Sequence, residues 1–368
     1  MKKDISIALS GGGVRSMAYH AGVLKYFAEQ NSFEKVSKIS SVSGGSLLIG
    51  LIYKENGYEW PSSEKFLNDI YPQIRKTMIS VNIQTELLKF ILYKPWNWLY
   101  IFSRAKALSK VIEITWGVSA PLSEISPLPE WSINGTTIEN GKRFRFKNNT
   151  LGDYETGYAK ADKFSLSQAM AVSAAFPGGI GPLVIKTKLF EWKKRTSWNS
   201  SDGGKVISPS FKKLHLYDGG VYDNLGTEPL FDSGSNKPKN GNENIFVSDA
   251  GKPLFQEKHV FRWDPRRILR ILDITMDQAR ALRVRSFMSY LENRTGQGGY
   301  ALIGQHPQEF IPEEKVHNHL EWLSSEQVKY CSKYGTDLKA MSESDFDLIS
   351  THGYESTKAI NIVRSFLS

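Results

Sequence analysis

Three short stretches of this sequence combine a reactive side chain or a set of backbone N–H groups with neighbouring glycines. Ser43 is followed by Gly44 and Gly45, three glycines occupy positions 11–13, and Asp218 is followed by two glycines. A serine hydroxyl becomes a nucleophile when a base takes its proton and N–H groups stabilise the oxyanion that forms. Consecutive glycines adopt positive φ without steric cost, so their N–H groups converge on an anion. Together these stretches indicate a serine hydrolase site.

The first fifty residues supply the elements that position the first two stretches. A short apolar strand over 5–9 runs into the glycines, and the apolar spacing predicts a helix over 14–30. A second apolar and small run over 39–42 delivers Ser43 into a sharp turn, and another helix is expected to begin near Ser46. This order of elements indicates an open α/β sheet, in which ligands bind at the carboxyl ends of the strands.

A phosphate-binding loop followed by an ordinary serine–glycine turn is the competing interpretation. A dinucleotide-binding loop follows the pattern G-x-G-x-x-G, whereas residues 11–16 place Ser16 at the last position. No Lys-Ser or Lys-Thr pair of a P-loop follows the glycines either. These differences weaken the nucleotide interpretation, and the hydrolase interpretation then depends on a base for Ser43.

The candidate base lies far from Ser43 in the sequence. None of the seven histidines is in a setting that marks it as a base. Asp218 is in such a setting, because it ends the short predicted strand 215–217 and enters two glycines. A shared sheet would bring its carboxylate to Ser43, which makes Asp218 the candidate general base.

In their joint order, these blocks resemble the patatin-like phospholipases over residues 5–251. Gly11-Gly-Gly-Val-Arg15 is similar to the family's G-G-G-x-R loop, and Ser41-Val-Ser43-Gly-Gly45 stands in place of its G-x-S-x-G motif. Asp218-Gly-Gly220 matches its D-G-G/A block and continues into Asn224 and Pro229 much as in relatives. Residues 173–177, Ser-Ala-Ala-Phe-Pro, resemble the family's small-residue loop before a proline.

The resemblance implies an acyl hydrolase with a Ser-Asp dyad on a three-layer α/β/α fold with a central, mostly parallel sheet. It gives Ser43 the role of nucleophile and Asp218 that of general base. Arg15 would brace the glycine loop or attract phosphate, and the alternative is an arginine on the helix surface. The implied oxyanion donors are Gly11, Gly12 and Gly13, and the supporting residues are Gly44, Gly45, Gly219, Gly220 and Asn224.

Two positions depart from the family pattern. Ser41 replaces the first glycine of the nucleophile motif; it is small enough to be tolerated, although its side chain adds bulk at the turn. Ser16 stands where many relatives carry glycine, one turn into the helix, where it affects packing more than chemistry. Neither departure removes the predicted catalytic role of Ser43.

Composition limits the compartment and the partners. The chain has 368 residues, a net charge of +9 and one cysteine, Cys331, which excludes an intramolecular disulfide and a cysteine-based metal cluster. The positive charge suits an anionic membrane surface or nucleic acid, although a soluble basic protein has the same composition. Neither a signal peptide nor an apolar run of transmembrane length is found. We expect a cytoplasmic, peripherally membrane-associated protein with an acyl-lipid substrate, an unidentified activator, no cofactor or metal, and no nucleic-acid partner.

The remaining chain contains an insertion, a hairpin and two helical parts. Residues 54–130 are predicted to form a helical, aromatic-rich insertion or lid, with six aromatics between Phe90 and Phe102. That segment is as typical of a membrane interface as of a core helix. Residues 139–141, Glu-Asn-Gly, predict a hairpin between strands 132–138 and 142–147. A helix is predicted over 265–291, and the arginines within 262–285 either pair with acidic residues such as Asp273 and Asp277 or bind phosphate.

We expect one catalytic domain over 1–310 and a helical C-terminal extension over 311–368 that packs on it. The main hypothesis is a phospholipase A-type hydrolase that acts through an acyl-enzyme and is gated by a lid or an activator. The alternatives are a non-enzymatic membrane- or phosphate-binding module on the same scaffold and a signal-activated effector that damages membranes. Ester hydrolysis that depends on Ser43 distinguishes the first hypothesis from the second, and activity that needs an added factor favours the third.

Overall fold

The fold is described from a computed structural model that covers residues 4–93, 95–195, 204–239, 241–251, 253–254, 264, 266–292, 294–312 and 321–367. Lys94, Arg262 and Pro265, which belong to the predicted aromatic segment, arginine cluster and long helix, lie outside these residues. Within them, no helix combines the length and the apolar character that crossing a bilayer requires.

Most of the strands join one mixed sheet. In chain order the strands are β1 (Ile5–Leu9), β2 (Val36–Ser41), β3 (Glu130–Thr137), β4 (Arg143–Lys147), β5 (Thr150–Asp153), β6 (Gly157–Lys160), β7 (Leu183–Lys186), β8 (Trp192–Lys194), β9 (Lys205–Ile207), β10 (Lys213–Asp218), β11 (Phe231–Asp232), β12 (Lys237–Pro238), β13 (Ile245–Asp249) and β14 (Gly298–Leu302). The strand order is β14-β13-β1-β2-β3-β4-β5-β6-β8-β9, with β10 pairing both β3 and β7, while β11 and β12 pair separately. The five strands from β14 to β3 are parallel, and the later pairs are antiparallel.

Helices cover both faces of the parallel part of the sheet. In chain order they are α1 (Gly13–Glu29), α2 (Gly44–Glu55), α3 (Ser63–Lys65), α4 (Tyr71–Ser80), α5 (Ile83–Tyr93), α6 (Arg104–Trp116), α7 (Leu166–Ser173), α8 (Gly220–Asp223), α9 (Arg266–Leu291), α10 (Ser325–Lys333) and α11 (Glu343–Arg364). A π-helical turn over 66–70 joins α3 to α4, and a 3-10 helix over 95–103 follows α5.

Alternation along β1 assigns the two cores to the two faces. Ile5, Ile7 and Leu9 belong to the large cluster that includes the apolar residues of α1, α2 and α11. Ala8 belongs to a second cluster with Phe287 of α9. Successive side chains of a strand point to opposite faces, so β1 packs on helices from both sides. The predicted three-layer α/β/α fold is confirmed.

The last helix, α11, packs against α1. α11 crosses α1 where Gly22 and Gly353 let the two backbones approach: a side chain at Gly22 would meet the carbonyl of Ser350, and one at Gly353 would meet that of Tyr19. α11 begins at Glu343, where the Ser342 hydroxyl caps it by accepting from the Asp345 N–H at 3.1 Å. This contact holds the chain end beside the first helix.

Other predicted elements are confirmed with small shifts. The helix predicted over 14–30 is α1, the hairpin strands are β3 and β4, and the long helix ends at Leu291 as predicted. The helix expected near Ser46 begins two residues earlier, at Gly44, because the Leu47 N–H already donates to the Ser43 carbonyl at 3.0 Å. Strand β14 was not predicted; its register places Gly298 and Gly299 against β13, where little side-chain signal marks a strand.

Candidate active site

Ser43 occupies the sharp turn between β2 and α2. Its φ of 50° and ψ of −121° are rare for a residue with a side chain, and the turn is held in this conformation by its surroundings. A side chain at Gly44 would overlap the Gly13 carbonyl, and one at Gly45 would lie 2.7 Å from the Leu9 carbonyl oxygen. The two glycines therefore let the turn approach both β1 and the glycine loop, and Ser43 stands at the carboxyl edge of the sheet.

The glycine loop between β1 and α1 lies directly beside Ser43. Gly12 and Gly13 have φ values of 149° and 57°, which favour glycine. Among the described residues, no acceptor is found for the N–H groups of Gly12 and Gly13, or for that of Gly44 at the start of α2. These three N–H groups lie at the N-termini of two helices, where the helix dipole favours negative charge.

Gly11 differs from the other two predicted donors. Its N–H already donates to the Asn224 carbonyl at 3.1 Å, so it is not available to an oxyanion in this arrangement. The position still requires glycine, because a Cβ there would lie 2.5 Å from Asn224 Oδ1 and 3.1 Å from Ser43 Cβ. The prediction that Gly11 supplies an oxyanion donor is therefore corrected, and Gly11 sets the spacing between the loop, Ser43 and Asn224.

Asp218 ends β10 and lies beside Ser43, although the two residues are far apart in sequence. The Gly220 N–H donates to Asp218 Oδ1 at 2.7 Å, and the Ser43 side chain lies close enough to the Asp218 carboxyl group to lower its pKa. Burial raises the pKa of Asp218 to about 7, and these two interactions, which favour the charged form, offset only part of the rise. The carboxylate is thus a base whose pKa lies near neutral pH.

The glycines and the asparagine after Asp218 position it. A Cβ at Gly219 would lie 2.5 Å from the Asn134 carbonyl oxygen, and one at Gly220 would lie 2.7 Å from Asn224 Oδ1. Asn224 thus contacts Gly220 through its side chain and Gly11 through both its side chain and its carbonyl. Asn224 therefore lies between the glycine loop and the turn after Asp218.

A chain of buried hydroxyl groups supports the turn from behind. Ser173 Oγ accepts the Ser43 N–H at 3.0 Å and donates to the Asn134 carbonyl at 2.8 Å. Ser46 Oγ bridges Ser173 Oγ at 2.9 Å and Ser41 Oγ at 2.8 Å. Ser41 also accepts the Trp131 indole N–H at 2.8 Å. Ser41 is therefore bound into the network, and its hydroxyl has a structural use at the position where the family motif has glycine.

Arg15 ties the start of α1 to two distant segments, and Ser16 contacts the glycine loop. Arg15 is completely buried, and its guanidinium donates to the carbonyls of Ser332, Tyr334 and Ala250 at 2.8–3.1 Å. Both the surface alternative and the phosphate-attracting role are therefore wrong for Arg15. Ser16 Oγ donates to the Gly13 carbonyl at 2.9 Å, so this departure from the family pattern also contacts the loop.

The described histidines provide no base at this site. None of them lines the cavity that contains Ser43 and Asp218. His20 is buried between Ser248 Oγ at 2.7 Å and the Ser10 carbonyl at 2.9 Å, and burial lowers its pKa to about 4. His20 is consequently neutral at physiological pH, and the assignment of the base to Asp218 is not challenged by a nearby imidazole.

Ser43 and Asp218 lie in a cavity of about 710 Å³ that is lined by both apolar and charged residues. The apolar lining comes from α5 and the loop after α7: Ile83, Leu87, Leu88, Ile91, Phe176 and Ile180. The charged lining includes residues of α9: Arg270, Asp273, Asp277 and Arg280. A cavity with both apolar and charged lining residues suits an amphiphile.

Two arginines of α9, Arg280 and Arg283, are bound to carboxylates. Arg280 contacts Asp249 at 2.6 Å and Asp277 at 3.5 Å. Arg283 contacts Glu228 at 2.8 Å and Asp223 at 3.6 Å. The predicted pairing with acidic residues is therefore confirmed for these two arginines, although Asp249, Glu228 and Asp223 come from other elements.

The family model for patatin-like phospholipases matches residues 7–231. The chain belongs to the patatin-like phospholipase family. The match contains the glycine loop, Ser43 and Asp218, which the fold brings together at one edge of the sheet. A search of curated proteins found no significant match.

Solved structures show the same patatin-like fold. Human GIVD cytosolic phospholipase A2 is similar with a TM-score of 0.57 and 12% identity, over 99% of this chain and 61% of that chain. The same human protein in complex with methyl gamma-linolenyl fluorophosphonate has a TM-score of 0.53 and 12% identity, over 100% and 60% of the two chains. The present chain thus spans about three fifths of the length of these structures.

Part of the patatin-like site comes from outside the residues that match the family model. Thr336, Asp337 and Leu338 line the cavity, and the Asp337 carbonyl accepts the Val14 N–H at 3.1 Å. These residues follow the matched region and carry no motif, so sequence reasoning missed them, whereas α9 was predicted as a helix but not placed at the cavity. Ser173 was noted only as part of a small-residue loop, and nothing in that pattern marks its hydroxyl as the acceptor for the Ser43 N–H.

Proposed function

We propose that this chain is a lipid acyl hydrolase in which Ser43 is the nucleophile and Asp218 is the general base. The observation that carries the proposal is the position of Ser43 beside the buried Asp218 carboxyl group, in the lining of one partly apolar cavity. A nucleophile within hydrogen-bonding reach of a base whose pKa lies near 7 is the arrangement that proton transfer at neutral pH requires.

In the acylation step, Asp218 accepts the hydroxyl proton while Ser43 Oγ attacks the ester carbonyl carbon. The tetrahedral intermediate then breaks its bond to the alcohol oxygen, and the proton held by Asp218 passes to this leaving group. The products are the free alcohol or lysolipid and an acyl ester on Ser43. In deacylation, Asp218 takes a proton from water, whose oxygen attacks the acyl carbonyl, and the fatty acid leaves as Ser43 regains its proton.

The oxyanion is assigned to the N–H groups of Gly12, Gly13 and Gly44. Gly44 directly follows Ser43, and Gly12 and Gly13 belong to the glycine loop beside it. Among the described residues, none of the three N–H groups has an acceptor. Loss of one such donor typically costs about 3–4 kcal/mol of transition-state stabilisation. Gly44 enters this set because its N–H follows the nucleophile directly, and Gly11 leaves it because its N–H is bound to Asn224.

The substrate class we propose is a phospholipid or a related acyl lipid presented at a membrane surface inside the cell. The apolar lining residues of α5 and of the loop after α7 suit an acyl chain, and the charged lining residues of α9 suit a polar head group. The lipid-like fluorophosphonate bound by the human fold relative is a suitable probe for the same kind of site. No step of this mechanism uses a metal, a cofactor or a nucleic acid.

The proposal is tested by measuring fatty-acid release from phospholipid vesicles by the wild-type chain and by Ser43→Ala. We expect the variant to lose hydrolysis, whereas Ser123→Ala, an exposed serine that does not line the cavity, should keep it. Equal turnover by wild type and Ser43→Ala would overturn the mechanism. Vesicle binding by the wild type with no release of fatty acid would favour a non-enzymatic membrane-binding module instead.

A further inference from the structure

A helical hairpin within the insertion presents apolar side chains to solvent. This hairpin consists of α5 and the 3-10 helix over 95–103 that folds back on it. Asn97 Nδ2 donates to the Phe90 carbonyl at 2.7 Å, and the rings of Phe90 and Tyr100 pack edge to face with centroids 5.3 Å apart. The hairpin is thus held together by its own contacts.

Its outer side chains are too apolar and too exposed for an ordinary protein surface. The exposed fractions lie between 54% and 82% for Leu88, Leu92, Tyr93, Trp96, Trp98 and Leu99. The interpretation of this segment as a core helix is therefore wrong for these residues. A contiguous exposed patch of this kind usually marks an interaction surface. Trp and Tyr beside aliphatic residues are the composition that favours the interface of a bilayer.

The hairpin borders the cavity that holds Ser43. Leu87, Leu88 and Ile91 line that cavity, and Leu88 is at the same time one of the exposed residues, so the apolar surface continues from the outside into the site. α9 also lines the cavity, through Arg270 and Met276. Next to Arg270 in the sequence, α9 exposes Ile268, Leu269 and Ile271.

Basic residues lie beside both apolar faces. Arg104 directly follows the hairpin, is exposed and lines the cavity. Lys106, two residues further along the chain, is also exposed. Arg267 is exposed on α9 beside Ile268. The chain as a whole carries a net charge of +9. This combination of apolar side chains with basic neighbours is complementary to a bilayer that contains anionic lipids.

We propose that residues 88–93 and 95–101 of the hairpin and residues 267–271 of α9 form a docking surface for an anionic phospholipid bilayer. We call this surface the rim. Docking through the rim would place the apolar opening beside Leu88 against the acyl region, so that a lipid chain reaches Ser43 without crossing water. That last consequence rests on the proposed function, whereas bilayer docking itself does not.

The test uses the full chain with Ser43→Ala, so that vesicles stay intact during the measurement. Binding is followed by co-sedimentation with vesicles made of equal amounts of phosphatidylcholine and phosphatidylglycerol. Adding Trp96→Ala and Trp98→Ala should weaken binding by roughly tenfold for each tryptophan, because each loses a large apolar contact with the bilayer. Vesicles of phosphatidylcholine alone should bind the parent chain more weakly, and added salt should weaken binding to the mixed vesicles.

A matched pair of leucine variants controls for the loss of apolar surface as such. Leu99 is 75% exposed on the hairpin, and Leu189 is 69% exposed in a separate 3-10 helix. Leu99→Ala should weaken vesicle binding, and Leu189→Ala should leave it unchanged. Equal effects of the two variants, wild-type binding by the double tryptophan variant, or no vesicle binding by the parent chain would each overturn the proposal.

A second readout distinguishes the rim from the catalytic proposal. With Ser43 intact, the double tryptophan variant should hydrolyse a short-chain, monomeric ester as wild type does, because neither tryptophan lines the cavity. Its hydrolysis of vesicle phospholipid should fall together with binding. Vesicle binding that depends on the rim, with no ester hydrolysis by wild type, would overturn only the catalytic proposal.

A dimer in solution that Trp96→Ala and Trp98→Ala dissociate, with vesicle binding unchanged, would instead assign the rim to a second copy of the chain and overturn bilayer docking.

Discussion

Asp218 should destabilise the folded chain at neutral and alkaline pH, and Asp218→Asn should remove this cost. Asp218 is 3% exposed, and burial raises its pKa from an ordinary 3.8 to about 7, although interactions with Gly220 and Ser43 lower it. Between these two values the folded chain keeps a proton that the unfolded chain has released. The associated stability is fully present below the unfolded pKa and is lost as the pH rises to about 7.

The expected size follows from the shift. A rise of about three pKa units corresponds to roughly 4 kcal/mol above pH 7, at about 1.36 kcal/mol per unit. That is a large part of a typical folding free energy of about 5–15 kcal/mol. The amide of Asp218→Asn keeps an oxygen for the Gly220 N–H and carries no charge to bury. We therefore expect the variant to be more stable than wild type at about pH 8.5 and similar to it at about pH 4.

The assay is urea unfolding of both chains at the two pH values, with the midpoint and slope compared. Glu228→Gln is the control of opposite sign: burial raises the pKa of Glu228, but hydrogen bonds from Lys239 and Arg283 outweigh burial and hold it below its ordinary value. This control variant should lose stability at about pH 8.5, because the ion pairs that need its charge are gone. If Asp218→Asn were less stable than wild type at that pH, or differed from it equally at both, the reasoning on Asp218 would be refuted.

Three further predictions concern activity and the support of the turn. The kcat/KM for a soluble ester should fall about tenfold per pH unit below an apparent pKa of about 7, since protonated Asp218 accepts no proton; an acid limb near pH 4 would contradict this. Ser173→Ala should cost about 1–3 kcal/mol of stability, measured by urea unfolding, because the Ser43 N–H loses its acceptor. In steady-state kinetics the variant should lower kcat more than it changes KM, and an unchanged kcat would contradict this role of Ser173. Arg15→Lys should lower the urea midpoint, because lysine cannot keep the hydrogen bonds to the three carbonyls that Arg15 contacts. Added phosphate should not restore the midpoint, and an unchanged midpoint would contradict a stabilising role for Arg15.

The local parts of the site could be predicted from the sequence because each has a short-range cause. A strand that runs into glycines, followed by a helical pattern, fixes where the glycine loop and Ser43 must lie. Parallel pairing of β1 with β2, through Leu9 and Ser41, then brings both turns to the same edge of the sheet. Asp218 was recognised by the same logic, since a carboxylate between a strand and two glycines has few ordinary structural reasons to be there.

The remaining parts depend on contacts between distant segments, which no local pattern encodes. Arg15 is an example: its position within a helix gives no sign that its acceptors are carbonyls more than three hundred residues away at Ser332 and Tyr334. The exposure of Trp96 and Trp98 is a second example, because a run of aromatic residues has the same composition in a core as on a protein surface. Gly11 was grouped with its neighbours as a donor, and only the position of Asn224 revealed that its N–H is engaged.

The most direct test of the account is covalent labelling of the chain by a fluorophosphonate, followed by intact-mass measurement and peptide mapping. We predict a single adduct on Ser43 in the wild type, no adduct in Ser43→Ala, and slower labelling in Asp218→Asn, whose amide cannot take the hydroxyl proton. Labelling of the wild type should also become faster as the pH rises through about 7. Equal labelling of wild type and Ser43→Ala, or an adduct on another serine, would contradict the assignment of Ser43 as the nucleophile.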